Sequence, residues 1–258
     1  MLNYRDSSIV FILIILGLMA YDYTYHVSGW YYFIAFFLFS LAIIFGSYFI
    51  QSGFFLKAYC SGDENKGQIA ITFDDGPHEN TSLILDVLKK NNATVAFFCI
   101  GKNIAGKENI VKSINDEGHI VSNHSFSHHN LFDFFSVKKL KQDVSKTDDL
   151  ILRSTGKRNK LFRPPFGVTT PNIAQMVREM DYKVIGWNLR SYDTAIKDHD
   201  RLMKRILKGI KNGSLILLHD TTPGIEIVLQ KVLDHARERN LKVVSIEDMF
   251  QINAYESV

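Results

Sequence analysis

The alternation of two kinds of segment is the feature that most constrains the fold of this chain. From about Cys60 onward, short runs rich in β-branched and aromatic residues alternate with longer segments of helical periodicity. The strand-like runs are residues 68–73, 94–101, 119–123, 161–164, 183–188, 214–219 and 241–246. The helical segments are residues 81–91, 102–117, 137–155, 171–180, 198–211 and 224–239. Short connections between them predict parallel strands with right-handed crossovers, and hence an α/β fold, a distorted (β/α)7 barrel.

The N-terminal fifth of the chain has a different composition. Two uncharged apolar stretches lie at residues 7–21 and 30–50, and the second reaches the roughly 20 residues that a bilayer crossing needs. Tyrosine and tryptophan residues flank both stretches, as is typical of the membrane–water interface. We therefore divide the chain into a membrane anchor at residues 1–52 with two transmembrane helices at about 7–25 and 30–50, a linker at 53–65 and the α/β domain at 66–258.

A cleaved signal peptide is the alternative for this N-terminal region. Its hydrophobic core would be residues 9–20, but a signal peptide would not be followed by a second full span. Positive charges orient the anchor only weakly, with Arg5 before the first span and Lys57 and Lys66 after the second. Taken alone, the positive-inside rule favours the cytoplasmic side for the domain that follows the anchor. An envelope substrate would need the opposite side, so the orientation of this domain stays open.

Charge and cysteine content exclude two classes of protein. The formal net charge of +3 is too small and too scattered to indicate a nucleic-acid-binding protein. Cys60 and Cys99 form neither a disulfide framework nor the pattern of a zinc module. We expect Cys99, which lies in an apolar run, to be a buried core thiol.

Chemically reactive side chains cluster where the strand-like runs end. They are Asp74, Asp75, His124, His128, Arg163, Asp193 and His219. In α/β barrels the carboxyl ends of the strands meet on one face and carry the site. We therefore expect these side chains to converge.

The first two motifs contain candidate metal ligands. The motif Thr-Phe-Asp-Asp-Gly-Pro at residues 72–77 places two diverging carboxylates after a strand, so one can bind a metal while the other faces substrate. A helix N-cap or Asx turn is the alternative. His124 and His128 are four residues apart, which predicts that they lie on one face of a helical turn and can share a metal. Incidental histidines on a surface helix are the alternative. Two histidines and one carboxylate leave coordination positions open for water and substrate.

The other two motifs contain a cation and a candidate acid. Arg-Pro-Pro-Phe-Gly at residues 163–167 has a backbone fixed by two prolines, which suits the wall of a groove with the arginine available to a carboxylate. Leu-Leu-His-Asp at residues 217–220 places His219 at the end of an apolar strand. That histidine is either a structural cap or a proton donor in a dry pocket.

In this order and spacing, the four motifs resemble the polysaccharide deacetylase (NodB-homology) family, carbohydrate esterase family four, over about residues 66–250. The resemblance implies a metal-dependent hydrolase that removes N-acetyl groups from glycans containing N-acetylglucosamine and releases acetate. With the anchor, it predicts a multi-pass protein of a bacterial cytoplasmic membrane, with an acetylated glycan as its partner. An O-acetyl esterase, a hydrolase of non-carbohydrate amides and a catalytically silent, membrane-tethered glycan-binding protein are the alternatives.

The resemblance also implies the metal ligands and the base. Asp75, His124 and His128 would bind the metal, usually Zn²⁺, with Co²⁺ or Ni²⁺ as alternatives. Asp74 would be the general base, oriented by Arg163.

The acid and the substrate groove follow from the same resemblance. His219 would be the general acid, polarised by Asp193. Pro165, Phe166 and Leu217 would line the substrate groove, with the backbone near Phe166 holding the oxyanion.

The chain departs from the family pattern at three positions. The fourth family motif is commonly Asp-x-x-Asp-Trp, but its first residue is Arg190 here and its last is Thr194. Phe166 also stands where tyrosine is more usual. These departures bear on the shape of the groove and therefore on the choice of substrate.

Overall fold

The computed structural model describes residues 3–256 of the chain. In this part the strands are Ala58–Tyr59 (β1), Gln68–Asp74 (β2), Ala96–Cys99 (β3), Ile120–Asn123 (β4), Leu161–Phe162 (β5), Lys183–Ile185 (β6), Leu189–Arg190 (β7), Leu215–His219 (β8) and Lys242–Val243 (β9). The α-helices are Tyr4–Tyr25 (α1), Gly29–Tyr48 (α2), Thr81–Asn91 (α3), Gly101–Ile104 (α4), Glu108–Asp116 (α5), Val137–Thr155 (α6), Pro171–Glu179 (α7), His199–Gly209 (α8), Ile225–Glu238 (α9) and Ile246–Phe250 (α10).

The strands form one parallel sheet. Its order is β1-β6-β5-β4-β3-β2-β8-β7, and β9 pairs with β2. Every pairing in the sheet is parallel, so all strands end at the same edge. The sheet curls into a partial barrel, which confirms the predicted α/β fold.

Strand β2 shows how the sequence sets the two faces of this sheet. Ile69, Ile71 and Phe73 pack into the core between the sheet and the outer helices. Ala70 packs into a second core inside the curl. Because side chains alternate along a strand, Asp74 continues the inward-facing set and reaches the open end of the barrel.

Several boundaries differ from the prediction. The helix expected over residues 102–117 is two helices, because the chain turns between them at Gly106, whose φ is 83°. The strand expected over residues 241–246 is the short β9, since Ser245 caps the start of α10. The predicted linker at residues 53–65 contains β1, which pairs with β6.

The two N-terminal apolar helices form a hairpin. Phe11 of α1 stacks on Phe39 of α2, with ring centroids 4.3 Å apart, and meets Phe36 edge-on at 5.0 Å. At a rise of 1.5 Å per residue the helices are about 33 Å and 30 Å long. Their apolar side chains are largely exposed, whereas the end of α2 contacts the barrel.

Candidate functional site

The two acids at the end of β2 diverge as predicted. Asp74 is 3% exposed, and its Oδ1 accepts a hydrogen bond of 2.6 Å from Nη1 of Arg163, which is fully buried. Burial raises the pKa of Asp74, and the positive charge of Arg163 opposes that shift. Asp75 adopts a left-handed backbone conformation (φ 72°), and its side chain points to two histidines instead.

The three predicted metal ligands lie together. Oδ1 of Asp75 is 3.6 Å from Nε2 of His124 and 3.5 Å from Nε2 of His128. One donor atom from each of the three residues lies within 4.8 Å of the others. Atoms that bind zinc at roughly 2.0–2.2 Å in a tetrahedral site are about 3.3–3.6 Å apart, so the spacing around Asp75 suits a divalent ion.

The protonation of His124 also suits a metal ligand. Its Nδ1 lies 2.7 Å from the carbonyl oxygen of Arg163, so Nδ1 carries the proton and Nε2 presents its lone pair to the cluster. Burial and the nearby His128 lower the pKa of His124 to about 3, which keeps the ring neutral. The donor set and its electrostatics therefore fit a divalent cation.

The two histidines do not lie on a helical turn, and that part of the prediction is wrong. Residues 124–128 form an irregular loop after β4, in which Ser125 (φ 64°) and His128 (φ 44°) are left-handed. Asp143 of α6 accepts hydrogen bonds from the backbone amides of Phe126, at 2.7 Å, and Ser127. The loop, rather than helical periodicity, brings both imidazoles to Asp75.

A second carboxylate–histidine pair lies at the ends of β7 and β8. Oδ1 of Asp193 is 2.7 Å from Nδ1 of His219, and Oδ2 accepts a hydrogen bond from the backbone amide of His219. Burial lowers the pKa of His219, but Asp193 more than offsets that effect and the pKa is raised above its ordinary value. Because Nδ1 faces Asp193, Nε2 is the nitrogen available to a substrate.

The three predicted groove residues differ in exposure. Phe166 is 46% exposed, and its ring meets that of His128 edge-on at 4.7 Å. Its backbone is left-handed (φ 59°), a conformation that a bulky residue rarely adopts. Pro165 and Leu217 are buried, so the accessible wall of the groove at these positions is Phe166.

Sequence reasoning missed the residues that support this site. Thr72 accepts a hydrogen bond of 2.8 Å from Nη1 of Arg163, and Ser191 donates one of 2.7 Å to Asp193. Thr72 precedes Asp74 by two residues on the same strand, so strand alternation could have identified it. Ser191 carries no comparable signal, because its partner is set by the turn that follows β7.

A buried acid links the two halves of the site and was also missed. Asp220 is fully buried, and its Oδ2 accepts a hydrogen bond of 2.6 Å from Oγ1 of Thr81. Asn80 donates to the carbonyl oxygen of Asp220 at 3.2 Å. These contacts connect the loop after β2 to the loop after β8, and so connect the metal-ligand side to the His219 side.

Comparisons with known proteins point to one family. The family profile described as "Polysaccharide deacetylase" matches residues 61–185. The chain is similar to a peptidoglycan-N-acetylglucosamine deacetylase of Bacillus cereus, with 34% identity over 74% of this chain and 71% of the relative. It is also similar to a peptidoglycan-N-acetylmuramic acid deacetylase of Bacillus subtilis, with 28% identity over 74% of each chain.

A solved structure shares the fold. The chain resembles a crystal structure of the Bc1960 peptidoglycan N-acetylglucosamine deacetylase with a TM-score of 0.72 and 32% identity. The similarity covers 76% of this chain and 94% of that one.

Proposed function

This chain belongs to the polysaccharide deacetylase family, and we propose that it is a membrane-anchored, zinc-dependent hydrolase that removes N-acetyl groups from a glycan of the bacterial envelope. The observation that carries the proposal is the convergence of three groups of side chains. The Asp75–His124–His128 cluster lies beside the Arg163–Asp74 ion pair, with Oδ2 of Asp74 3.7 Å from Nε2 of His124. Strand β8 pairs with β2 in a register that places His219 opposite Asp74.

The residues of the chain have separate tasks in this reaction. A divalent ion bound by Asp75, His124 and His128 would polarise the acetamide carbonyl and make a water molecule more acidic. Asp74 has one oxygen held by Arg163 and the other directed toward the cluster, so that second oxygen is placed to accept a proton from the attacking water.

His219 completes the proton transfers. The leaving amine needs a proton, and Nε2 of His219 is free to donate one while Asp193 holds Nδ1. The raised pKa of His219 keeps more of the imidazole protonated near neutral pH, as a general acid requires. We assign the backbone at Phe166 to the oxyanion, since its left-handed conformation turns the peptide group away from a regular path.

Membrane anchoring is supported by the way α2 ends. Thr169 makes two hydrogen bonds to the end of this helix. Its amide donates to the carbonyl oxygen of Ser47 at 3.0 Å, and its Oγ1 donates to the carbonyl oxygen of Gly46. Gln51 donates to the carbonyl oxygen of Trp187 at 2.7 Å. The start of α1 is bound as well, because the amide of Tyr4 donates to the carbonyl oxygen of Phe54 at 2.9 Å. Cleavage of a signal peptide with its core at residues 9–20 would remove this contact, so we propose that the hairpin is retained and spans the bilayer.

We place the catalytic domain at residues 66–258 on the outer face of the membrane, where envelope glycans such as peptidoglycan lie. Only three cations flank the spans, so the positive-inside rule opposes this orientation weakly. A reporter active only outside the cytoplasm, fused to the C-terminus, should be active. A reporter active only in the cytoplasm should be silent, and the reverse pattern contradicts the orientation.

Acetate release from a panel of glycans tests the activity. The full chain in detergent with added zinc should release acetate from N-acetylglucosamine oligomers and leave free amines in equal amount. Asp74→Asn should lower turnover by about 10²–10⁴-fold, the usual contribution of a general base. Release from O-acetylated glycans alone would indicate an esterase, and glycan binding without any release would indicate a silent protein.

A further inference from the structure

A pocket between the end of the membrane hairpin and the catalytic face is not used by the proposed reaction. It is a cavity of about 270 Å³ at the junction of α2, β7 and α8. The residues that matter to its chemistry are Tyr48, Gln51, Trp187, Arg190, Tyr192 and Arg205. We call it the arginine pocket.

The charge of the arginine pocket is one-sided. Within the described part of the chain, its lining contains two arginines and no acidic residue. Nη2 of Arg205 donates to the backbone carbonyl oxygen of Arg190 at 3.4 Å, and both guanidinium groups lie over the ring of Tyr192. Two cations in one cavity whose lining offers no carboxylate favour the binding of an anion.

Aromatic rings hold both guanidinium groups in place. Cζ of Arg190 lies 5.2 Å from the centroid of Tyr192, and Cζ of Arg205 lies 4.5 Å from the same ring. Arg190 also stacks on Trp187, at 5.6 Å. Tyr192 has a left-handed backbone (φ 63°), which is uncommon for a bulky residue. The two cations are therefore positioned before any ligand binds.

The pocket borders both the catalytic site and the membrane end of the domain. Arg190 and Tyr192 flank Ser191, whose hydroxyl binds the Asp193 partner of His219. On the other side, the last residue of α2, Tyr48, and the three residues that follow it form one wall of the cavity. A group held here would lie near the headgroup level of a bilayer crossed by α2.

We propose that the arginine pocket binds the phosphate group of a lipid-linked acetylated glycan, so that the enzyme acts on a glycosyl phosphate at the membrane surface. The proposal rests on the deacetylation and anchoring proposed above. Paired guanidinium groups match the oxygens of a phosphate with directed hydrogen bonds. The cavity is slightly smaller than the roughly 300–1,000 Å³ typical of drug-sized ligands, which suits one phosphate rather than a stretch of polysaccharide.

A comparison of two substrates tests the proposal with the full chain in detergent. One is a neutral N-acetylglucosamine tetramer and the other is the same tetramer carrying a 1-phosphate. We expect kcat/KM to be at least about tenfold higher for the phosphorylated substrate, mainly through KM. Arg205→Gln should lower this preference about tenfold, and Arg205→Lys should retain part of it. Arg201→Gln, an exposed site on the same helix, is the matched control and should leave the preference unchanged.

Equal kcat/KM for the two substrates in the wild type, or a preference that Arg205→Gln does not alter, would overturn the proposal. Calorimetric binding of the phosphorylated tetramer separates this failure from failure of the deacetylase function. If neither substrate releases acetate, the binding measurement still decides. A tenfold weaker affinity of Arg205→Gln for the phosphorylated tetramer would support the pocket, and an unaltered affinity would refute it. Glycerol 1-phosphate competing as well as the glycosyl phosphate would assign the pocket to phospholipid headgroups and also overturn the proposal.

Discussion

Replacing Arg163 with methionine removes the cation on which the buried side of the site depends. Its guanidinium donates to Asp74 at 2.6 Å, to Thr72 at 2.8 Å, and to the carbonyl oxygens of Ile185 at 2.9 Å and Gly186 at 2.7 Å. Methionine fills a similar volume but donates nothing, so the carboxylate of Asp74 would be left buried without a counter-charge.

The expected loss follows from that burial. Removing one partner of a buried ion pair costs about 3–5 kcal/mol. For a domain of this size each kcal/mol lowers Tm by roughly 2–4 °C, so Arg163→Met should melt about 6–20 °C below the wild type. Adding Asp74→Asn removes the uncompensated charge, so the double variant should regain about 1 kcal/mol or more of the loss.

Thermal unfolding of the full chain in detergent, followed by circular dichroism, measures these shifts. Arg178→Met, on the exposed side of α7, is the matched control and should stay within about 0.5 kcal/mol of the wild type. A Tm for Arg163→Met within about 2 °C of the wild type would refute the reasoning. A double variant less stable than the single one would refute it as well.

Three further changes test other parts of the structure. Burial lowers the pKa of His219, but the carboxylate of Asp193 more than offsets this effect. Asp193→Asn should therefore move the alkaline limb of the kcat/KM profile to lower pH, and an unmoved limb would contradict the assignment of His219 as the acid. Gly167→Ala should cost about 1 kcal/mol or more in thermal unfolding, because φ is 73° and the new Cβ would overlap Trp187, whereas an unchanged Tm would show that the loop adapts. Gly46→Leu should loosen α2 from the barrel and speed proteolysis between α2 and β1, since a side chain there would overlap a phenylalanine ring; wild-type resistance would argue against this packing.

Local signals explain what could be predicted from the sequence. Helices α3 and α6 have the predicted bounds, because their ends carry strong signals: Ser136 caps the start of α6, and Asn92 and Gly156 adopt the left-handed conformation that ends a helix. The convergence of reactive residues followed from strand direction, since parallel strands bring their carboxyl ends to one edge.

Long-range contacts explain what could not be predicted. The loop at residues 124–128 is shaped by Asp143, a residue of a later helix, so its irregular path has no local signature. The short strand β1 lies within the predicted linker, because its two residues become a strand only by pairing with β6. Arg190 stood out in the sequence as a departure from the family pattern, but its approach to Arg205 of α8 required the fold.

Metal content measured together with activity tests the central claim most directly. The full chain, stripped with a chelator and titrated with zinc, should bind one equivalent tightly and gain acetate-releasing activity in proportion to occupancy. His128→Ala should lose tight binding, because it removes one of the three donors around Asp75. Acetate release at the full rate from metal-free protein, or tight zinc binding that His128→Ala leaves unchanged, would contradict the account.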